Sequence, residues 1–158
     1  MPEGPEIRLA ADKIAAAVEG KVLRRVMFSQ HKLRRFGPQL SGKVISKIET
    51  RGKALLTHFD NGVSIYSHNQ LYGRWKIAPA GSIPKTKRQL RLALHAHDLS
   101  ALLYSASDIS VWQTRCLNKH PFLAKLGPDI LDPNVTYGSV ASRLLAKPFL
   151  NRPLHSIL

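Results

Sequence analysis

The residues best suited to chemistry stand at the start of the chain. Once Met1 is removed, Pro2 becomes the N-terminus and offers a secondary amine. An α-amino group titrates near ~8, low enough to leave a neutral, nucleophilic fraction at neutral pH. A helix N-terminus and nearby bases lower that value further, because both disfavour the protonated amine. Glu3 adjoins this group, and Glu6 falls three residues on. A neutral amine beside a carboxylic acid can attack a carbon that bears a leaving group while the acid donates a proton. The adduct of a secondary amine with an aldehyde-like carbon is an iminium, an electron sink that acidifies the neighbouring C–H. On spacing alone two other readings stand beside this one. Glutamates near a helix start also compensate the helix dipole, and an N-terminal proline can act as a general base in tautomerisation.

The elements that must position these groups follow from periodicity. Ile7, Ala10, Ala11, Ile14 and Val18 recur at spacings of three and four, Pro5 suits a first helical turn and Gly20 a stop, so a helix is expected over 5–19. Beyond it the period becomes two. Strands are expected over 22–28, 43–49, 53–59, 63–69, 71–78 and 101–107, with Leu90, Leu92 and Leu94 alternating in another. Asp60-Asn61-Gly62 is a hairpin signal joining 53–59 to 63–69. A turn is expected near His97–Ser100, loops over 79–88 and 127–134, and helical structure over 137–146 and from Pro148 onward. One helix followed by many short strands predicts a mainly β fold, a two-sheet β-sandwich carrying an N-terminal helix. FLNRPLHSIL stops within an apolar pattern and without a C-cap signal, which leads us to expect a truncated chain.

Charge narrows the partners. The 158 residues carry 24 Lys+Arg against 10 Asp+Glu, a formal net charge of +14. Each side of Lys53 has its share: 12 bases and 5 acids lie in 1–53, and the same numbers lie in 54–158. No basic tail carries the excess. Instead, Glu19 to Glu49 brackets eight bases and no acid, and Asp60 to Asp98 brackets six bases and no acid. Unopposed charge on this scale within a folded domain favours a polyphosphate partner, nucleic acid above all. No strongly amphipathic basic helix with aromatic anchors points to a membrane surface, and no apolar run approaches the ~20 residues of a membrane span. The acidic start MPEGPEIRLAADK is unlike a secretory signal, so a cytoplasmic protein is expected. The single cysteine, Cys116, excludes an internal disulfide and a four-cysteine zinc site, and His95 and His97, two apart on a strand, make no credible metal site. No metal and no cofactor are expected.

Five blocks occurring in order then add up to a resemblance: MPEGPEIRLAAD at 1–12, ETRGKALLTHF at 49–59, YSHNQLYG at 66–73, LLYSASD at 102–108 and HPFLAKLGPD at 120–129. Together they resemble the formamidopyrimidine-DNA glycosylase/endonuclease VIII family of base-excision repair, and PEGPEI in place of PELPEV points to its endonuclease VIII branch. The resemblance implies a bifunctional DNA glycosylase and abasic-site lyase acting on oxidised pyrimidines in damaged double-stranded DNA, as a monomer associated with the nucleoid through DNA. By the same resemblance Pro2 is the Schiff-base nucleophile that attacks C1′, Glu3 the acid that assists sugar-ring opening, and Lys53 a phosphate contact and proton donor for β-elimination. Gln70, Leu71 and Tyr72 match the loop that fills the gap left by a flipped nucleotide, and Gln70 also matches a DNA contact. Chemistry at C1′ needs such a wedge, since the nucleotide must leave the stack. Lys125 stands where the family has a basic DNA contact, arginine in the form compared; lysine keeps the charge and loses the bidentate geometry.

The match implies a catalytic domain over 1–130, with 131–158 a linker and the truncated start of a helix-two-turn-helix domain. That domain and a zinc or zincless finger continue the family pattern, and their arginine and asparagine have no counterpart here. Weak DNA binding, poor base excision and residual cleavage at abasic sites are therefore expected. The alternative is a non-catalytic basic DNA-binding fragment.

Overall fold

Ile7, Ala11, Ile14 and Val18 are buried along one face of helix α1, Gly4–Val18, in the computed structural model, which describes residues 2–129 and 132–153. The helix agrees with the predicted span to within a residue at each end. The chain divides into two units, Met1–Leu117 and Asn118–Leu158.

The first unit holds eight strands. They are β1 (Arg25–Phe28), β2 (Ile45–Arg51), β3 (Ala54–Phe59), β4 (Val63–His68), β5 (Arg74–Pro79), β6 (Leu90–His95), β7 (Leu99–Tyr104) and β8 (Asp108–Gln113). They form two four-stranded sheets, ordered β1-β6-β7-β5 and β2-β3-β4-β8, in which every pairing is antiparallel. Helix α1 packs against β2 and β7, one strand from each sheet. Its apolar face shares one core with Leu55 and Ile65 from one sheet and Leu94 and Leu103 from the other. This is the predicted two-sheet sandwich with an N-terminal helix.

Several boundaries differ from the sequence reading for local reasons. The expected strand 22–28 is regular only from Arg25, because Val22 makes an isolated bridge with Val44. The expected strand 71–78 starts at Arg74, since Leu71 and Tyr72 belong to a turn. A second, short helix and strand β8 are among the elements not expected from the sequence. Helix α2, Phe36–Leu40, has five residues and contains Gly37 and Pro38. Its closeness to the sheet demands the glycine, because a Cβ at Gly37 would lie 2.7 Å from the Val26 carbonyl oxygen. Strand β8 pairs with β4 from Val63↔Gln113 to His68↔Asp108, and turns Ile109 and Val111 toward the core.

The second unit contains a 3-10 helix, Leu123–Lys125, then helix α3, Tyr137–Leu144, and a 3-10 turn at Lys147–Phe149. Thr136 caps α3 by accepting a hydrogen bond from the Ser139 N–H at 3.3 Å. Helix α3 agrees with the expected helical structure over 137–146, but after Pro148 the helical geometry ends at Phe149 and residues 150–153 are turn and irregular chain. From residue 154 onward, and at residues 130 and 131 of the expected loop, the expectation lies outside the described residues.

One polar network ties the β2-β3-β4-β8 sheet together on the face opposite Ile48 and Leu55. The His58 ring bridges Glu49 Oε1 at 3.0 Å and Ser64 Oγ at 2.6 Å, and Ser64 Oγ lies 2.7 Å from Thr114 Oγ1. The hydrogen bond to His58, helped by Lys47 and Arg51 and opposed by burial, holds the Glu49 carboxyl at about 2. A depressed carboxyl stabilises the fold above its ordinary value of 4.5 and loses that contribution as pH falls toward 2. Urea unfolding of the wild-type protein should therefore lose on the order of 3 kcal/mol between pH 5 and pH 2 that Glu49→Gln does not lose. Equal losses in the two proteins would show that Glu49 is not the group responsible.

Candidate active site and nucleic-acid interface

Helix α1 presents its first turn, and with it the chain start, at the edge of the sandwich. Glu3 is the N-cap residue, with extended backbone (φ −92°, ψ 174°), and its N–H donates to Glu6 Oε2 at 2.8 Å. The Glu6 carboxylate thereby satisfies a backbone donor that the helix leaves without an internal partner. Glu3 itself meets a residue 50 positions away: Lys53 Nζ donates to Glu3 Oε1 at 2.9 Å and lies 2.8 Å from Oε2. Lys53 is not the first residue of a strand, as its sequence context suggested. Arg51 pairs with Ala54, so Gly52 and Lys53 form the two-residue turn between β2 and β3, with Gly52 at φ 57°. The turn lifts the ammonium clear of the sheet and toward Glu3.

Pro2 is half-buried and lines an open pocket of about 440 Å³ with Glu6, Asn69, Leu71, Gly73, Arg74 and Trp75. Two polar atoms of this lining, Asn69 Oδ1 and Trp75 Nε1, are buried without a hydrogen-bond partner among the described residues. Asn69 is only 6% exposed. Buried polar atoms are nearly always paired, so these two are exceptions, and both lie beneath the surface of the pocket wall.

The loop between β4 and β5 projects beside the pocket. Leu71 is 61% and Tyr72 67% exposed, unusual for large apolar side chains placed side by side. The backbone beneath them is pinned. Gln70 has φ 53°, in the left-handed region, and its N–H donates to His68 Nδ1 at 3.0 Å. Gly73 N–H donates to the Asn69 carbonyl at 2.8 Å. Arg88 Nη1 donates to the Tyr72 carbonyl at 2.6 Å. The Gln70 side chain accepts from Ser107 Oγ at 2.8 Å, and the Ser107 carbonyl in turn accepts from Gln30 Nε2 at 2.7 Å. Burial pushes the His68 imidazole below its ordinary value; Asp108 opposes this and the Lys53 charge adds to it. A depressed value suits a ring nitrogen that must accept from Gln70.

The structure thus brings Pro2, Glu3 and Lys53 to one edge of the first unit and sets Gln70, Leu71 and Tyr72 on a neighbouring loop that shares the pocket wall. Lys125 belongs to the second unit, exposed at the end of its 3-10 helix, where its carbonyl accepts from Arg143 Nη2 at 3.2 Å. His68, Asn69, Arg74 and Trp75 were not singled out from the sequence. His68 and Asn69 lie inside the quoted block YSHNQLYG, but nothing in their spacing marks them before the hairpin end is folded. Among the described residues no group of three or more His, Cys, Asp or Glu is placed to hold a metal ion, and no helix is long and apolar enough to cross a membrane.

The model of the formamidopyrimidine-DNA glycosylase N-terminal domain matches residues 1–109. The chain belongs to that family. The match spans every element that carries Pro2, Glu3, Lys53 and the 70–72 loop. Over its whole length the chain is 52% identical to the protein named Endonuclease 8 of Salmonella agona (strain SL483), and 51% identical to the one of Salmonella arizonae. It spans 60% of the length of these relatives. Solved structures share its fold: the Lactococcus lactis formamidopyrimidine DNA glycosylase bound non-covalently to DNA containing an AP site superposes with a TM-score of 0.72, covering 87% of this chain and 54% of that one at 18% identity. The wild-type Lactococcus lactis enzyme in complex with DNA containing N7-benzyl-Fapy-dG gives 0.69 over 80% of this chain and 49% of that one, at 19% identity. The family resemblance read from the five sequence blocks is thereby established, and the name shared by the relatives agrees with the PEGPEI start.

Gly73 is the point on which this family member's exposed loop turns. A Cβ there would lie 2.4 Å from the Asn69 carbonyl oxygen and 2.7 Å from its Cα. Both are backbone atoms with no side-chain freedom to yield. Gly73→Ala should cost about 1–3 kcal/mol of stability and speed amide exchange across 69–73 more than elsewhere, as read by hydrogen exchange with mass spectrometry. Unchanged exchange in that segment would show that the close approach does not hold the loop.

Proposed function

We propose that this chain is the nucleophile-bearing part of a base-excision repair DNA glycosylase and abasic-site lyase. Its substrate is damaged double-stranded DNA with oxidised pyrimidines, and it works as a cytoplasmic, nucleoid-associated monomer. Residues 1–130 are its catalytic domain, and 131–158 are a linker and the start of a helix-two-turn-helix domain. The observation that supports this most is the meeting of Glu3 with Lys53 across 50 residues of sequence, next to an N-terminal Pro2 that lines a pocket.

The chemistry follows from those groups. With Met1 removed, the Pro2 nitrogen attacks C1′ of the damaged nucleotide, the bond from C1′ to the base breaks, and the base leaves carrying the electron pair and a proton. Glu3 delivers a proton to the ring oxygen as the sugar opens, giving the iminium. Loss of a C2′ proton then expels the 3′ phosphate by β-elimination, with Lys53 as proton donor. The Lys53 ammonium and the Glu3 carboxylate, in contact, form a route for proton exchange between these two steps. Leu71 and Tyr72 supply the apolar wedge that keeps the duplex open, and Gln70 hydrogen-bonds the orphaned base. Lys125 contributes a charge toward the DNA backbone.

Sodium borohydride reduction with abasic-site duplex tests this directly. The processed chain should form a covalent adduct, and Pro2→Gly should abolish it. Lys53→Ala should slow strand cleavage roughly 100-fold or more while changing stability by no more than about 1 kcal/mol, since the ion pair is largely exposed. Salt-sensitive binding with no adduct, equal for intact and abasic duplex, would reject the enzyme and leave the basic DNA-binding fragment.

A further inference from the structure

A second pocket, of about 450 Å³, shares no lining residue with that of Pro2. Strand β1 contributes Arg25 and Met27, the segment through α2 contributes Arg34 and Pro38, and β6 contributes Arg91. We propose that this pocket is a phosphate-binding site, separate from the Pro2 pocket, that takes a backbone phosphate of nucleic acid.

Three observations carry the assignment. The first is charge without an opposing charge. Arg25 and Arg34 lie in the acid-free stretch between Glu19 and Glu49, and Arg91 lies in the one between Asp60 and Asp98. Among the described residues none of the three guanidinium groups takes part in an ion pair. Three cations round one small pocket repel each other unless an anion joins them.

The second is a pair of orphaned polar atoms. Arg91 Nε and Ser29 Oγ both belong to the pocket's lining residues and are buried with no hydrogen-bond partner among the described residues. A guanidinium edge and a hydroxyl can both donate to a phosphate oxygen, and the fork of arginine matches that group.

The third is a backbone irregularity that places one of these donors. Leu90 pairs with Tyr104 and Leu92 with Leu103, so Arg91 is the extra residue of a β-bulge. Its carbonyl is held by the Ser29 N–H at 3.0 Å. A bulge re-aims a side chain that regular pleating would send elsewhere. Here it joins the donors of two strands in one place.

The position suits a nucleic-acid backbone. Ser29 precedes Gln30, which holds Ser107 and through it Gln70, and Arg91 follows closely on Arg88, which holds the Tyr72 carbonyl. The pocket thus adjoins the segments that pin the exposed loop. Met27, Pro38 and Leu90 supply apolar wall for the sugar flanking a phosphodiester.

The test uses the whole 158-residue chain with nitrogen-15 label. The Arg91 Nε–H resonance, assigned by its loss in Arg91→Lys, is followed in titrations with inorganic phosphate, with adenosine 5′-monophosphate and with a short intact DNA duplex. A shift with the duplex is expected. A shift with the two small probes as well would identify a site open to free phosphates, and a shift with the duplex alone would identify one that requires the polymer; either supports the site. In parallel, Arg34→Ala and Arg91→Ala should each lower the slope of log K against log salt for duplex binding by about 0.9, the value of one phosphate contact. Lys13→Ala, exposed on α1, should leave the slope unchanged. Any preference for abasic over intact duplex should survive both arginine changes, which separates this site from the Pro2 chemistry. No shift of the resonance with any probe, or arginine variants whose slopes match that of Lys13→Ala, would overturn the proposal.

Discussion

Chain termini are ordinarily the least ordered part of a domain, and here the terminus is the part proposed to carry the reactive amine. What restrains it is burial three turns deep. Ile7, Ala11, Ile14 and Val18 lie at or below 3% exposure between the two sheets. At about 1.5–3 kcal/mol for a fully buried large aliphatic side chain, this face outweighs the fraying that a first helical turn invites. Pro5 and the Glu6 carboxylate finish the restraint at the helix start, and Lys53 then reaches Glu3 from the β2–β3 turn. Each of these contacts would be weak alone. The Glu3–Lys53 pair is solvent-exposed and adds little to stability, so its value lies in where it places two charges.

The same economy shows in the distribution of positive charge. A chain at +14 pays for its compactness in self-repulsion, and only part of the cost is offset internally. Lys21 pairs with Asp98, Arg8 with Asp12, and Lys47 and Arg51 with Glu49. Among the described residues Arg25, Arg34 and Arg91 have no such partner. A polyanion laid over this surface would relieve the repulsion, which gives charge, pocket and exposed loop a common physical logic.

How much could be read in advance depended on whether a feature was local. The helix over 5–19 and the Asp60-Asn61-Gly62 hairpin are written in spacing and in turn chemistry, and both formed close to where they were expected. The family blocks singled out Pro2, Glu3, Lys53 and the Gln70–Tyr72 loop, which the fold brings to one edge of the first unit. Helix α2 escaped notice because its support is not local, a glycine packed on the Val26 carbonyl; strand β8 was missed although Ile109 and Val111 alternate within a short segment that follows directly on β7. Lys53 looked like the first residue of a strand because β-branched and apolar residues follow it directly, and the turn that re-aims it shows only once Arg51 and Ala54 are paired.

The amino-acid order by itself determined the charge, the helix, the strand count to within one, and the family, because composition, period and motif are properties of neighbours in the chain. Only the tertiary structure decided that Glu3 touches Lys53, that Asn69 and Trp75 bury unpaired polar atoms in the wall of the Pro2 pocket, and that a bulge carries Arg91 into company with Arg25 and Arg34. Those facts depend on the pairing register of strands far apart in sequence. A shift of one residue turns a side chain to the other face of its sheet, and no local pattern records such a shift.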